Sequence, residues 1–189
     1  VFEIIHQKRE KVACKKGCHS QLVTAPRPAH ILPKCSATEA LLSFIVVSKV
    51  LDRQPLYHLE KRIQDIHGWH IQRKTMARWM IQLSDRLYPL INLMKDQLLR
   101  YDIAAVDATT LQVLVEQDRK STVKSQVYCL RGGPPGKEVT LYEYNAYSQR
   151  SYINELFEGY HGYIQSDAAP VYNDLINHDK IKMVFCHAH

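Results

Sequence analysis

No run of apolar residues in this 189-residue chain is long enough to cross a membrane; the longest, Ala40 to Val47, already contains Ser43. No basic-then-apolar leader opens the chain, so no secretory signal is expected. Glycine and proline are scarce, at 7 and 8 residues, which excludes collagen-like and low-complexity chains. Cysteine is scarce as well. The 5 cysteines are odd in number and lack framework spacing, so a reducing compartment is expected, with the cytoplasm as the default. The first residue is Val1 rather than Met, which reads as a piece of something longer. What is present is globular: 46% hydrophobic and 23% charged residues, enough for one ordinary domain or a small domain beside a larger one.

Charge is unevenly spread. Residues 1–100 carry 17 Lys/Arg against 8 Asp/Glu, and residues 101–189 carry 8 against 11. A basic half followed by an acidic half points to a polyanion-binding segment joined to one that can hold cations. Chance variation on two solvated surfaces is the plainer explanation of the same numbers.

Residues 1–37 read as an extended, irregular segment, broken by Pro26, Pro28 and Pro33. Within it Cys14 and Cys18 form a C-x3-C pair, half of a possible Zn²⁺ site, with His19, His30 and Cys35 as candidates for the remainder. Two unpaired thiols are the alternative. Residues 38–100 read as helical. Thr38 suits an N-cap, and Leu41, Leu42, Ile45 and Val46 form an apolar stripe. Pro55 opens a second helix with Leu56, Leu59, Ile63 and Ile66 on one face, and Gly68 ends it. A third helix buries Met76, Trp79, Met80, Leu83 and Leu87. Leu90, Ile91, Met94 and Leu98 continue the period after Pro89, which is expected to kink or restart the helix. Helix, short turn and basic helix make a helix-turn-helix-like region, with Arg73, Lys74, Arg78 and Arg86 placed for phosphates and Gln82 for a base edge. Simple solvation of a surface helix is the competing explanation.

After Arg100 the period falls towards two. Strands are expected at 103–115, 125–130, 139–147, 162–166 and 181–185, with helices at 151–160 and 171–176. The order β-β-β-α-β-α-β is that of a ribonuclease H-like α/β fold with a mixed sheet. In that architecture the first strand carries a central acid and the fourth ends on another. Asp107 and Asp167 occupy those places. A buried Asp in the apolar run 103–115 needs a partner, whereas Ser166-Asp167 could also serve as turn and cap. Two adjacent carboxylates repel unless a cation lies between them, so the pair suits Mg²⁺ or Mn²⁺ in the two-metal arrangement used for phosphodiester hydrolysis.

With these residues in place the chain resembles the insertion-sequence-66 type of bacterial DDE transposases. The likeness runs through LVTAPRPAHILPK at 22–34, ALLSFIVVSKVLDRQPLYHLE at 40–60 and TMARW at 75–79. It continues through AVDATT at 105–110, IQSDAAPVYN at 164–173 and Cys186-His187-Ala188-His189. The resemblance implies that Asp107 and Asp167 are metal-binding catalytic acids. It implies hydrolysis of transposon-end DNA, with the freed 3′-hydroxyl then attacking target DNA in a nucleoid-associated homo-oligomer. It also implies that Cys14 and Cys18 complete a Zn²⁺ site whose first cysteine pair lies upstream of Val1.

Two departures from the family pattern stand out. Ala108 follows the first Asp where the family usually has Glu, and the triad's third acid is expected beyond His189, leaving this fragment inactive. Glu155 and Glu158 read as surface residues rather than substitutes. The alternative to a transposase is a non-catalytic DNA-binding regulator of transposition from the same family. A junction resolvase fits less well, because the helical segment resembles the transposases specifically.

Overall fold

The structure, a computed structural model, describes residues 3–13, 22–116, 119–147 and 149–186. Cys14, Cys18 and His19, with the half zinc site expected there, lie outside the described residues. Two compact units divide the chain, residues 1–87 and 88–189.

Helices α1 (Glu39–Val50) and α2 (Leu56–His67) lie in the first unit, together with α3 (Arg73–Leu98) as far as Leu87; the rest of α3 belongs to the second unit. The Thr38 hydroxyl caps α1 by accepting the Leu41 N–H at 3.3 Å. Gly68 ends α2 in the left-handed conformation at φ 69°, which costs a residue without Cβ nothing. Leu42 and Ile45 of α1, Leu59 and Ile63 of α2, and Met76, Trp79 and Leu83 of α3 share one buried cluster. Burying each such side chain contributes roughly 1.5–3 kcal/mol, and this burial, rather than propensity, holds the helices.

Three features of this region differ from expectation. The segment 1–37 is not wholly irregular, since β1 (Lys11–Val12) and β2 (Val23–Thr24) pair antiparallel. Two-residue strands are too short to leave an alternating pattern in a sequence. Ile66, at the end of α2, is 62% exposed, because the buried cluster stops at Ile63. Pro89 lies inside α3 and does not restart it, the helical assignment running unbroken from Arg73 to Leu98. A proline removes its own N–H bond and crowds the carbonyl four residues earlier, and residues 84–93 are all exposed, so water can reach the carbonyl left unpaired. The same exposure leaves Leu87, Leu90 and Ile91 uncovered, whereas Leu98 is fully buried. Among the described residues, no helix is long and apolar enough to cross a membrane.

The second unit is a five-stranded mixed sheet. Its strands are β3 (Ile103–Gln112), β4 (Lys124–Gly132), β5 (Val139–Asn145), β6 (Gly162–Ser166) and β7 (Ile181–Phe185), in the spatial order β5-β4-β3-β6-β7. The first three form an antiparallel meander, while β6 pairs parallel with β3 and β7 parallel with β6. Helix α4 (Arg150–Leu156) joins β5 to β6; a 3₁₀ turn at Pro170–Tyr172 and α5 (Asn173–Ile176) join β6 to β7. The element order matches the expected one. Strand β3 stops at Gln112 instead of 115 because its partner begins at Lys124, opposite Gln112. Beyond it Leu114 and Val115 are 74% and 91% exposed.

Alternation divides the sheet into two unlike faces. Ala104, Val106, Tyr128, Leu130, Leu141 and Ile164 are buried in one cluster with Ile153, Leu156, Phe157, Tyr172 and Leu175 of the helical connections. The odd-numbered positions of β3, Asp107 among them, look the other way. Gly162 sets the start of β6 beside β3: its φ is 143°, and a Cβ there would lie 2.5 Å from the Asp102 carbonyl oxygen. The next residue, Tyr163, donates its N–H to that same oxygen at 2.8 Å.

Candidate active site

Strand register brings the two acids together. Ala105 of β3 pairs with Gln165 of β6, and Asp107 and Asp167 each stand two residues further along these parallel strands. Both line a cavity of about 270 Å³, with Cys129, Arg131, Gln165 and Cys186 also in its wall. A larger cavity, about 790 Å³, lies in the first unit against the N-terminal segment, and among the described residues its acids are Glu3 and Glu39. The smaller one has the chemistry.

Asp107 is exposed, which corrects the reading of it as a buried acid. Its neighbours Ala104 and Val106 are buried, and a period of two puts Asp107 on the opposite, open face. One of its oxygens accepts the Ala108 N–H at 2.9 Å. Asp167, half-buried just past β6, accepts the Ala169 N–H at 3.4 Å through one oxygen. The Ser166 hydroxyl donates to the Asp167 carbonyl at 2.7 Å, which steadies the turn. So Asp167 does make the turn contact that its sequence suggested. In each carboxylate the second oxygen has no hydrogen bond among the described residues.

Tyr172 is buried behind this site, and its hydroxyl has no hydrogen-bond partner among the described residues. Burial first, then the negative charge of Asp167, with smaller effects of Tyr128 and Asp107, pushes its pKa well above that of an ordinary phenol. The hydroxyl therefore stays neutral beside the two acids.

No group of three or more His, Cys, Asp or Glu side chains is placed to share a metal among the described residues. The chemistry of two carboxylate oxygens would suit a hard divalent cation of the Mg²⁺ or Mn²⁺ kind. Glu155 and Glu158 are exposed and do not line the cavity. Of the cysteine–histidine cluster at the chain end, Cys186 reaches the cavity wall, while His187 and His189 lie outside the described residues. Sequence reasoning alone does not find Cys129 and Arg131. Only the register, with Asp107 opposite Cys129 and Ala105 opposite Arg131, places them at the site.

On α3, Arg73, Lys74, Arg78, Gln82 and Arg86 are all exposed, opposite the buried Met76, Trp79 and Leu83. The 74, 78, 82, 86 spacing keeps four of them on one strip of the helix.

A model of the family described as "Transposase IS66 family" matches residues 34–189. The chain belongs to the IS66 transposase family. The match takes in the three-helix unit from just before α1 and the whole sheet. Two relatives from Sinorhizobium fredii (strain NBRC 101917 / NGR234) are similar along nearly the full chain. "Uncharacterized protein y4qI" is 26% identical over 200 residues, covering 100% of this chain and 36% of the relative. "Uncharacterized protein y4jD" is 27% identical over 193 residues, covering 96% of this chain and 37% of the relative. The chain thus spans little more than a third of the length of these relatives.

Proposed function

We propose that this chain is the DNA-handling and carboxylate-bearing part of a metal-dependent DDE-type transposase with a ribonuclease H-like core. The observation that carries the reading is the pair formed by Asp107 of β3 and Asp167 just past the parallel strand β6, both in the wall of one cavity. Membership of the family, the meander followed by parallel strands, and the basic strip on α3 support it.

Asp107 and Asp167 would hold Mg²⁺ or Mn²⁺. When bound, the metal supplies positive charge that offsets the carboxylates and the phosphodiester and favours loss of a proton from the attacking hydroxyl or water. The chain's own contribution is orientation. The N–H groups of Ala108 and Ala169 tie down one oxygen of each carboxylate, leaving the other for a ligand. Arg73, Lys74, Arg78 and Arg86 hold DNA phosphates, and Gln82 contacts a base edge. Transposon-end and target DNA are the substrates, and a homo-oligomer holds the two ends. Cys14 and Cys18 contribute to a Zn²⁺ site on the strength of the family resemblance.

Mn²⁺ titration of residues 1–189, followed by calorimetry, tests this. The parent binds Mn²⁺ weakly and Asp107→Asn does not, because the amide keeps the shape but removes the charge. Unaltered binding in Asp107→Asn overturns the proposal. The alternative is a non-catalytic DNA-binding regulator of transposition, and two acids at the cavity among the described residues are compatible with either reading. Both readings predict no DNA cleavage by residues 1–189; metal-dependent cleavage would exclude the regulator and make Glu155 or Glu158 the suspected third acid.

A further inference from the structure

The face of the sheet that carries Asp107 is open. Five cationic or aromatic side chains exposed on it, Arg131, Tyr142, Tyr144, Tyr163 and Lys182, take no part in the carboxylate pair or in the basic strip on α3. Lys182 is engaged, its ammonium lying 5.6 Å from the centre of the Tyr163 ring. Arg131 is not. It lines the cavity with both carboxylates and makes no ion pair or hydrogen bond among the described residues. An arginine fork left free beside two acids is suited to the planar, bidentate recognition of a phosphate.

Tyr142 completes the pattern. Register places Tyr142 opposite Cys129, and Cys129 opposite Asp107, so the three form one row across β5, β4 and β3. Two strand spacings put Tyr142 about 10 Å from Asp107, which a nucleic-acid strand covers in roughly three nucleotides. Its neighbour Tyr144 is tethered, bonded through its hydroxyl to Glu116 and Ser125. Tyr142 is 72% exposed and makes no hydrogen bond among the described residues. A free aromatic ring on an open sheet offers a base a stacking platform that needs no particular sequence.

We propose that the DNA strand to be processed lies across this open face, with Arg131 holding a backbone phosphate beside the carboxylate pair and Tyr142 stacking on a base. Ile103 and Val184 are also exposed on this face, and the free cation beside the two carboxylates is what points to a nucleic acid. The inference rests on reading Asp107 and Asp167 as the acids of a DNA-processing site, but its test does not use activity.

Binding of a fluorescein-labelled single-stranded oligonucleotide to residues 1–189, without divalent metal, is followed by polarisation against salt. Arg131→Ala lowers the salt slope by about one unit, as expected when one phosphate is no longer neutralised. Tyr142→Ala weakens binding roughly fivefold to a hundredfold, and Tyr142→Phe restores it. A 5-iodouracil oligonucleotide photocrosslinked to the unmutated chain then labels the β5 peptide containing Tyr142, a result that does not depend on how any variant folds. Parent-like binding by both alanine variants, or crosslinks confined to α3 or to the first unit, would overturn the strand path. Mn²⁺ titration separates the two proposals: Arg131→Ala and Tyr142→Ala keep the metal site, so a failed crosslink with intact Mn²⁺ binding at Asp107 sinks only this inference. A Tyr142 crosslink without Mn²⁺ binding upholds the strand path and sinks the carboxylate reading.

Discussion

Asp107 on β3 and Asp167 just past the end of β6 share one cavity although 60 positions separate them in the chain, because each lies two residues past the paired Ala105 and Gln165. In the absence of metal the two negative charges in this shared cavity wall repel.

That repulsion has a stability signature. The metal-free Asp107→Asn variant is expected to melt no lower than the parent, since it removes a like-charge pair from an exposed position. Saturating Mn²⁺ should raise the parent's melting temperature, by the equivalent of about 2.7 kcal/mol at a hundredfold excess over Kd, and leave the variant unmoved. Differential scanning calorimetry checks both; a variant that melts well below the parent without metal would mean that Asp107 has a structural partner.

The basic strip on α3 gives a second expectation. Lys74→Ala combined with Arg78→Ala should weaken duplex DNA binding and reduce the salt slope by about one unit for each phosphate that is no longer neutralised. Both positions are exposed, so the melting temperature should hold within the roughly ±0.5 kcal/mol typical of surface changes. An unchanged salt slope would show that the strip is only solvated.

Gly162 links backbone geometry to the site. Gly162→Ala introduces a Cβ 2.5 Å from the Asp102 carbonyl at a φ of 143°, a conformation that L residues rarely adopt. A loss on the order of 1–3 kcal/mol or more is expected. Because β6 begins there, Mn²⁺ affinity should fall as well, even though residue 162 touches no metal ligand. Chemical denaturation and the Mn²⁺ titration read the two effects separately. Unchanged stability would place the start of β6 elsewhere.

Alkaline pH should unfold the sheet unit first. Burial, reinforced by Glu143, pushes Tyr152 up to about 12, and burial together with Asp102 does the same for Tyr160. For a group whose pKa is raised on folding, the stabilisation is complete below the unfolded value, about 10 for Tyr. It is lost as pH climbs from about 10 to about 12. Melting temperatures should therefore fall through this window, with phenolate absorbance rising as the unit opens. Tyr160→Phe should fall less steeply there, at the cost of the 3.0 Å bond from the Tyr160 hydroxyl to the Tyr163 carbonyl. A Tyr160→Phe profile identical to the parent's would refute the assignment.

The helices are legible in the sequence wherever local chemistry decides: the Thr38 cap, the Gly68 stop and the burial of Met76, Trp79 and Leu83 all follow from periodicity and capping within a few residues. Pro89 is not, because the cost of a helical proline depends on whether water can reach the freed carbonyl, and exposure is a tertiary property. Leu114 and Val115 escape the sequence pattern for a related reason. A β-branched apolar run becomes strand only where a partner strand is present, and β4 begins opposite Gln112.

By itself the sequence determined the order of the sheet unit's elements, the period of each, and the two acids as candidates, because short-range sterics and alternation act on neighbours in the chain. Tertiary structure decided which side chains meet. That Asp107 is exposed rather than buried, that Arg131 and Cys129 join it, and that Tyr142 stands in its row all depend on strand register. One residue of slip reverses every side chain of a strand. Register is settled by the summed burial of Ala104, Val106, Tyr128, Leu130 and Ile164 against the helices, a long-range energy that no single stretch of sequence contains.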